Sequence, residues 1–254
     1  MADIRNELEQ SLHALTMEHL AKLAAYIPGP VKKAGSRDRL LAAYRDDPVF
    51  SIFGLDSVEY LAATLAGGTV TSIHRKLGDI YEACVKTILM QALNFSPTHV
   101  TYSTIIQSGD TEEDRSADAY LQFDKLDKAS RRRVTAYCQA EVAKLTTHPK
   151  VSLVGVGMEI RHCYQTGDSK RTQADEALAR HFLLSGILPL MPLFCRQSNP
   201  GIVARYRSVW VIKEGMEAYD MVKTFSGYDF HDFLKRNRDD FRKPVIDLLR
   251  SLAK

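Results

Sequence analysis

Apolar residues recur at helical spacing from the start of the chain. Ile4, Leu8, Leu12, Leu15, Leu20 and Leu23 mark one face, and Pro28-Gly29-Pro30 stops the pattern. A basic loop with Lys32, Lys33, Arg37 and Arg39 follows, and Ser36 is placed to cap a short helix through Tyr44. Asp56, with Glu59 three residues on, predicts a capping box for a helix ending near Gly67-Gly68. Ile73, Leu77, Ile80, Cys84 and Ile88 then mark a longer helix over about residues 71–93. Its other face carries His74, Arg75, Lys76, Asp79, Glu82 and Lys86. That face reads as solvated, with Glu82 the residue that would lean into a site as an extra carboxylate.

After Pro97 the period changes. HVTYSTIIQ (residues 99–107) is rich in β-branched and aromatic residues and reads as a strand, followed by a polar loop, SGDTEEDRS. In residues 117–123, Ala119, Leu121 and Phe123 alternate with Asp118, Tyr120 and Gln122, which predicts a half-buried strand with Asp118 near its start. Residues 127–147 read as a helix with Arg131, Arg132 and Arg133 in its first turns. Cations there oppose the helix dipole, so they signal either a nearby phosphate or a solvated patch. In residues 151–195 an apolar strand runs into Glu159, a polar turn GDSKR opens a helix, and a second apolar strand follows. Residues 199–212 contain Arg205 and Arg207, residues 217–225 read as a short helix, and residues 239–253 as a terminal one. Strands alternating with helices behind a helical lobe predict an α/β fold, a mixed β-sheet flanked by helices. The expected organisation is a single catalytic domain over 1–254: an N-terminal helical lobe (1–95), a core (96–235) and a C-terminal helix (236–254).

Composition narrows the function classes. With 254 residues and 45% hydrophobic content, the chain can bury a substantial core. A net charge of only +3, from 34 basic and 31 acidic residues, does not demand a polyanion. Nucleic-acid binding would require the cations to be gathered on one surface. Cys84, Cys138, Cys163 and Cys195 stand far apart without a CxxC pair, and read as buried free thiols in a reducing cytoplasm. MADIRNELEQ is charged where a signal peptide would be apolar. The uncharged run 182–195, broken by Gly186, Pro189 and Pro192, is too short to span a bilayer. A cytoplasmic protein without a membrane partner is the expectation.

Asp118 and Glu159 carry the candidate chemistry. Each sits where an apolar strand becomes polar, on strands that can be neighbours. Two carboxylates at adjacent strand ends, with a cation beside them, are the minimum for holding magnesium against a phosphodiester. Glu159 and Arg161 project from one face, with Met158 and Ile160 opposite. Gly155 and Gly157 share the Glu159 face and leave room for backbone or substrate. Gly167-Asp168 opens a helix whose amides can bind a phosphate, with Lys170 and Arg171 in its first turn. His162 faces away and reads as a core histidine, and Tyr206 and Trp210 read as packing residues.

The order of Asp118, a strand, Glu159-Ile160-Arg161, a helix and an apolar strand resembles the PD-(D/E)XK nuclease superfamily. More narrowly, MEIRHCYQTGDSKRTQADEALARHFLLSGILPLMPLFC is similar to type II restriction endonucleases of the ApaLI kind, over about residues 150–235. The resemblance implies a restriction-endonuclease-like sheet and a magnesium-dependent hydrolase that cuts double-stranded DNA at a short palindrome. It also implies a homodimer and a cognate DNA methyltransferase to protect the host. Asp118 and Glu159 would coordinate Mg2+. The superfamily's lysine falls on Arg161, which stays protonated and cannot be a general base, so Lys170 becomes the candidate ammonium. Ala117 replaces the usual proline, and Asp124 is the fallback carboxylate. Gln165, Ser169, Lys170, Arg171 and Gln173 border the site as candidate DNA contacts, with Gln197 and Asn199 after the next strand. Two other readings stand beside this one: a non-cleaving, sequence-specific DNA-binding protein with a decayed site, and a structure-selective repair or junction nuclease.

Overall fold

The computed structural model describes residues 2–108, 111–145, 152–164 and 169–252. The chain is mixed α/β and divides into two compact units. One contains residues 13–80 and 237–254, and the other residues 1–12 and 81–236.

The first unit is helical. It holds most of α1 (Ala2–Ala24), then α2 (Gly29–Ala34), α3 (Arg37–Asp46), α4 (Pro48–Ile52) and the first part of α5 (Val58–Leu93), and later α12 (Arg238–Leu252). Ser36 caps α3, its hydroxyl accepting from the Arg39 N–H at 3.1 Å, as expected. Lys32 and Lys33 belong to α2 and Arg37 and Arg39 to α3, so all four residues of the expected basic loop are helical. Two expected helices are one. The α5 helix is capped by Ser57, which accepts from the Tyr60 N–H at 3.2 Å, in place of Asp56. It then runs through Gly67-Gly68 without stopping. Each glycine costs a helix about 1 kcal/mol, which is less than the burial of Leu61, Leu65, Thr69 and Ser72 along that segment can offset. Leu40, Leu61 and Leu65 form a small core here, joined by Val31, Leu41 and Tyr44.

The second unit holds the sheets. After the short α6 (Pro97–Val100), β1 (Tyr102–Ser108) pairs antiparallel with β2 (Thr111–Ala117). The stretch TEEDRS, expected as loop, is therefore the second arm of a hairpin. Next come β3 (Ala119–Gln122), a 3-10 turn (Phe123–Lys125), α7 (Lys128–Val142), β4 (Gly155–Met158), α8 (Ser169–Leu184) and β5 (Ile187–Leu193). They are followed by α9 (Pro200–Tyr206), β6 (Val211–Glu214), α10 (Met216–Ser226) and α11 (Phe230–Arg236). Strands β3 to β6 form a mixed sheet in sequence order: β3 and β4 are antiparallel, β4, β5 and β6 parallel. Every residue of β4 and β5 is buried, which explains their unbroken apolar runs.

Gly155 and Gly157 are spaces for side chains, not for substrate. A Cβ on Gly157 would lie 2.4 Å from the Phe182 ring of α8, and one on Gly155 2.7 Å from the Tyr120 ring. Cys163 and Cys195 are joined by a disulfide, which corrects the free-thiol expectation for that pair, while Cys84 and Cys138 are free and buried. Their distance in sequence hid the pairing; the parallel strands β4 and β5 end side by side and bring the two together, with Cα atoms 5.4 Å apart. Among the described residues, no helix is long and apolar enough to cross a membrane.

Candidate active site

Asp118 occupies the bend between β2 and β3, and Glu159 follows the last residue of β4. Because Ala119 pairs with Met158, the antiparallel register brings the two acids to the same end of the sheet. Arg161 lies between them. Its Nη1 donates to Asp118 Oδ2 at 3.2 Å and to the Ile160 carbonyl at 3.3 Å, and its Nη2 is in close contact with Glu159 Oε1. The Ile160 N–H donates to the same Asp118 oxygen at 2.7 Å. Asp118 and Arg161 side chains are each 18% exposed and Glu159 6%, so these charges face one another largely out of water. Arg161 Nε is buried without a hydrogen-bond partner among the described residues.

Burial lifts the Asp118 carboxyl to about 6, against the pull of Arg161. The charge of Glu82 on α5 raises it further, while the Ile160 N–H and Lys86 lower it. Lys86 and Glu82 are one helical turn apart and paired at 3.4 Å. Glu82, half-buried and paired with Lys86, thus acts on Asp118 through its charge and does not reach it.

A cleft of about 480 Å³ opens on this cluster. Besides Asp118, Glu159 and Arg161 it is lined by Asp114, Arg115, Ser116, Arg171 and Asp175. Arg171 and Asp175 share one face of α8, a turn apart. Asp175 is buried, and its Oδ2 accepts from the hydroxyls of Tyr164 at 2.5 Å and Tyr206 at 2.9 Å. The Asp175 carbonyl accepts from Trp210 Nε1 at 3.1 Å. Tyr206 and Trp210 are therefore packing residues that also anchor the helix bearing Arg171. Since Tyr164 is three residues past Arg161, one hydrogen bond ties the two arms of the cleft together.

Several expected contacts fall elsewhere. Asp124 is exposed in the 3-10 turn at the other end of β3, away from the cleft, and cannot replace Asp118. Gln173 is exposed on α8 and does not line the cleft. Gln165, Gly167 and Asp168 lie outside the described residues, as do the side chains of Ser169 and Lys170. Asn199 caps α9, accepting from the Gly201 N–H at 3.0 Å. His162 packs at a tilt against Tyr81, with ring centroids 5.4 Å apart. Sequence reasoning missed Asp114 and Arg115, hidden in the misread loop, and Asp175. The four-residue spacing of Arg171 and Asp175 is the signal that could have found Asp175.

The donor set suits a hard cation. Three oxygens, from Asp118, Glu159 and the Ile160 carbonyl, converge on one guanidinium. Among the described residues no group of three His, Cys, Asp or Glu side chains is placed to cage an ion. Magnesium needs no such cage, taking one or two carboxylates with water and phosphate completing its shell. In comparisons with known proteins, no family model, no curated protein and no solved structure matches this chain.

Proposed function

We propose that this chain is a magnesium-dependent DNA phosphodiester hydrolase with a restriction-endonuclease-like core, acting as a type II restriction endonuclease. The observation that carries the reading is the meeting of Asp118 and Glu159 at adjacent strand ends, in a cleft with Arg115, Arg161 and Arg171. Acids alone would repel a phosphodiester, and cations alone would bind it without activating water. The mixture answers both needs.

Asp118, Glu159 and the Ile160 carbonyl are the oxygens that would hold Mg2+, which when bound supplies an acidified water and screens charge on the phosphate. Arg161, now paired with both carboxylates, would neutralise a phosphate oxygen when those carboxylates hold the ion. It stays protonated throughout, so it orients and does not accept the proton. Arg171, exposed at the cleft wall, holds a second phosphate oxygen. A short palindromic duplex as substrate, a homodimer and a protecting methyltransferase belong to the same reading. So does a cytoplasmic location, where host DNA is found; the Cys163–Cys195 bridge pulls against it.

Incubation with plasmid DNA and magnesium is expected to give discrete fragments. Glu159→Gln is expected to lower cleavage by at least a hundredfold while a gel shift still detects binding. Intact plasmid across several DNAs and metals would remove the hydrolase reading.

A second reading has its own observation: Arg161 fills the position where the oxygens converge. A protein locked in that state binds a specific sequence and cuts nothing. A sequence-dependent gel shift without cleavage, unchanged by Glu159→Gln, selects it.

A further inference from the structure

Most basic residues with described ion pairs lie elsewhere: Lys22, Lys86, Lys144, Arg205, Lys213, Lys223 and Arg236 each have a carboxylate partner. Lys128, Arg131 and Arg132 on α7 have none among the described residues. The spacings of three and four put them on one helix face, where they line a second cleft of about 480 Å³ with Leu126 and Thr135. All three are exposed. The next residue, Arg133, turns the other way and donates to the Phe225 carbonyl at 2.8 Å. Arg133 is thus set apart from the stripe.

Its position makes it costly to the isolated protein. Asp127 caps α7, accepting from the Ala129 and Ser130 N–H groups, and no acidic residue follows it in the first turn, so three cations crowd one face near a single carboxylate. The Thr135 Oγ1 at this cleft is buried without a hydrogen-bond partner among the described residues. An extended anion relieves the crowding of like charges, since its own charges pair with the Lys128 ammonium and the two guanidinium groups.

We propose that Lys128, Arg131 and Arg132 form a nucleic-acid backbone-binding surface, separate from the Asp118–Glu159 cleft. It rests on the reading of DNA as substrate but not on cleavage. Asp118 immediately precedes β3, and α7 follows the opposite end of that four-residue strand. The stripe therefore engages phosphates some way along the duplex from the scissile one. Such contacts set affinity and register and carry no sequence information.

Binding of a labelled 30-base-pair duplex to the full chain, measured without divalent metal across a salt series, tests this. The triple variant Lys128→Ala/Arg131→Ala/Arg132→Ala is expected to flatten the slope of log affinity against log salt by about 2 to 3. Affinity near physiological salt falls at least tenfold, equally for all sequences. A charge-matched control, Lys22→Ala/Lys235→Ala/Lys243→Ala, keeps the wild-type slope, and circular dichroism shows both variants folded. A triple variant with the wild-type slope overturns the proposal, as does a wild-type chain that binds anionic vesicles but no duplex. A wild-type chain that binds with the expected slope yet never cuts removes only the hydrolase reading.

Discussion

Arg161 holds two acids that would otherwise repel each other in a poorly hydrated space. Removing one partner from a buried ion pair costs about 3–5 kcal/mol, because the remaining charges stay buried without compensation. The Asp118 carboxyl, lifted to about 6 mainly by burial, gives that cost a pH dependence. An unfolded aspartate releases its proton near its ordinary value, whereas the folded one keeps it until about 6. The folded state therefore binds more protons between those values, and stability falls as pH rises through that window. Without the guanidinium the carboxyl is pushed higher still, so the fall continues to higher pH. Arg161→Met is thus expected to lose little stability at pH 5 and about 3 kcal/mol at pH 8, read by urea unfolding. Millimolar magnesium is expected to stabilise Arg161→Met more than wild type, since the ion takes the site that the guanidinium vacates. Equal losses at both pH values would mean that the three charges do not act as one group.

The sheet sets the position of the acids, and one contact sets the position of the sheet against α8. Gly157 is directly opposed by the Phe182 ring, which is fully buried and makes edge-on contacts with Tyr102 and Trp210. A methyl there has nowhere to go, and the helix that bears Arg171 and Asp175 must shift. Gly157→Ala is expected to cost about 1–3 kcal/mol and to weaken any cleavage, with Phe182→Leu restoring part of the stability in the double variant. Full additivity of the two changes in thermal melts would show that they do not touch. This glycine was legible in the sequence as a site of close approach, but the approaching group was not, because periodicity gives a face and never its neighbour. The same limit explains β2. Glu112, Glu113 and Asp114 lack the alternation of a half-buried strand because the hairpin leaves most of that arm in water. In β3 the alternation was clear and its buried positions were readable, but the strand is Ala119–Gln122 and not 117–123: Ala117 ends β2, Asp118 is the bend, and Phe123 starts the 3-10 turn. Helix α5 was misread for the opposite reason: local signals favoured a stop at Gly67-Gly68, and burial on either side overrode them.

At the scale of the whole chain, Cys163–Cys195 is the covalent constraint, and four cysteines divide into two kinds. The bridge encloses α8 and β5 and fastens the segment leaving Arg161 to the segment leaving Leu193, which already pair as an isolated parallel bridge. Spacing along the sequence could not reveal it, since the 32-residue separation matches no motif. A loop of that length contributes about 3–4 kcal/mol through the unfolded state, less any strain relieved. The lone tryptophan reports on this unit, because Trp210 is buried in the core formed with Phe182, Met191 and Tyr206. Reduction is therefore expected to move the denaturant midpoint seen by tryptophan fluorescence downward, with the folded spectrum nearly unchanged. Thiol titration supplies the count. The native oxidised chain should react little, as Cys84 and Cys138 are buried, and burial also pushes the Cys138 thiol up, which leaves little thiolate to react. Unfolding without reductant should release two thiols and unfolding after reduction four. Four thiols from the unreduced chain would mean that the strand ends are joined only by backbone hydrogen bonds. The cleft would then lean more heavily on the Tyr164–Asp175 link to keep Arg161 and Arg171 in register, and Tyr164→Phe would become the more damaging change.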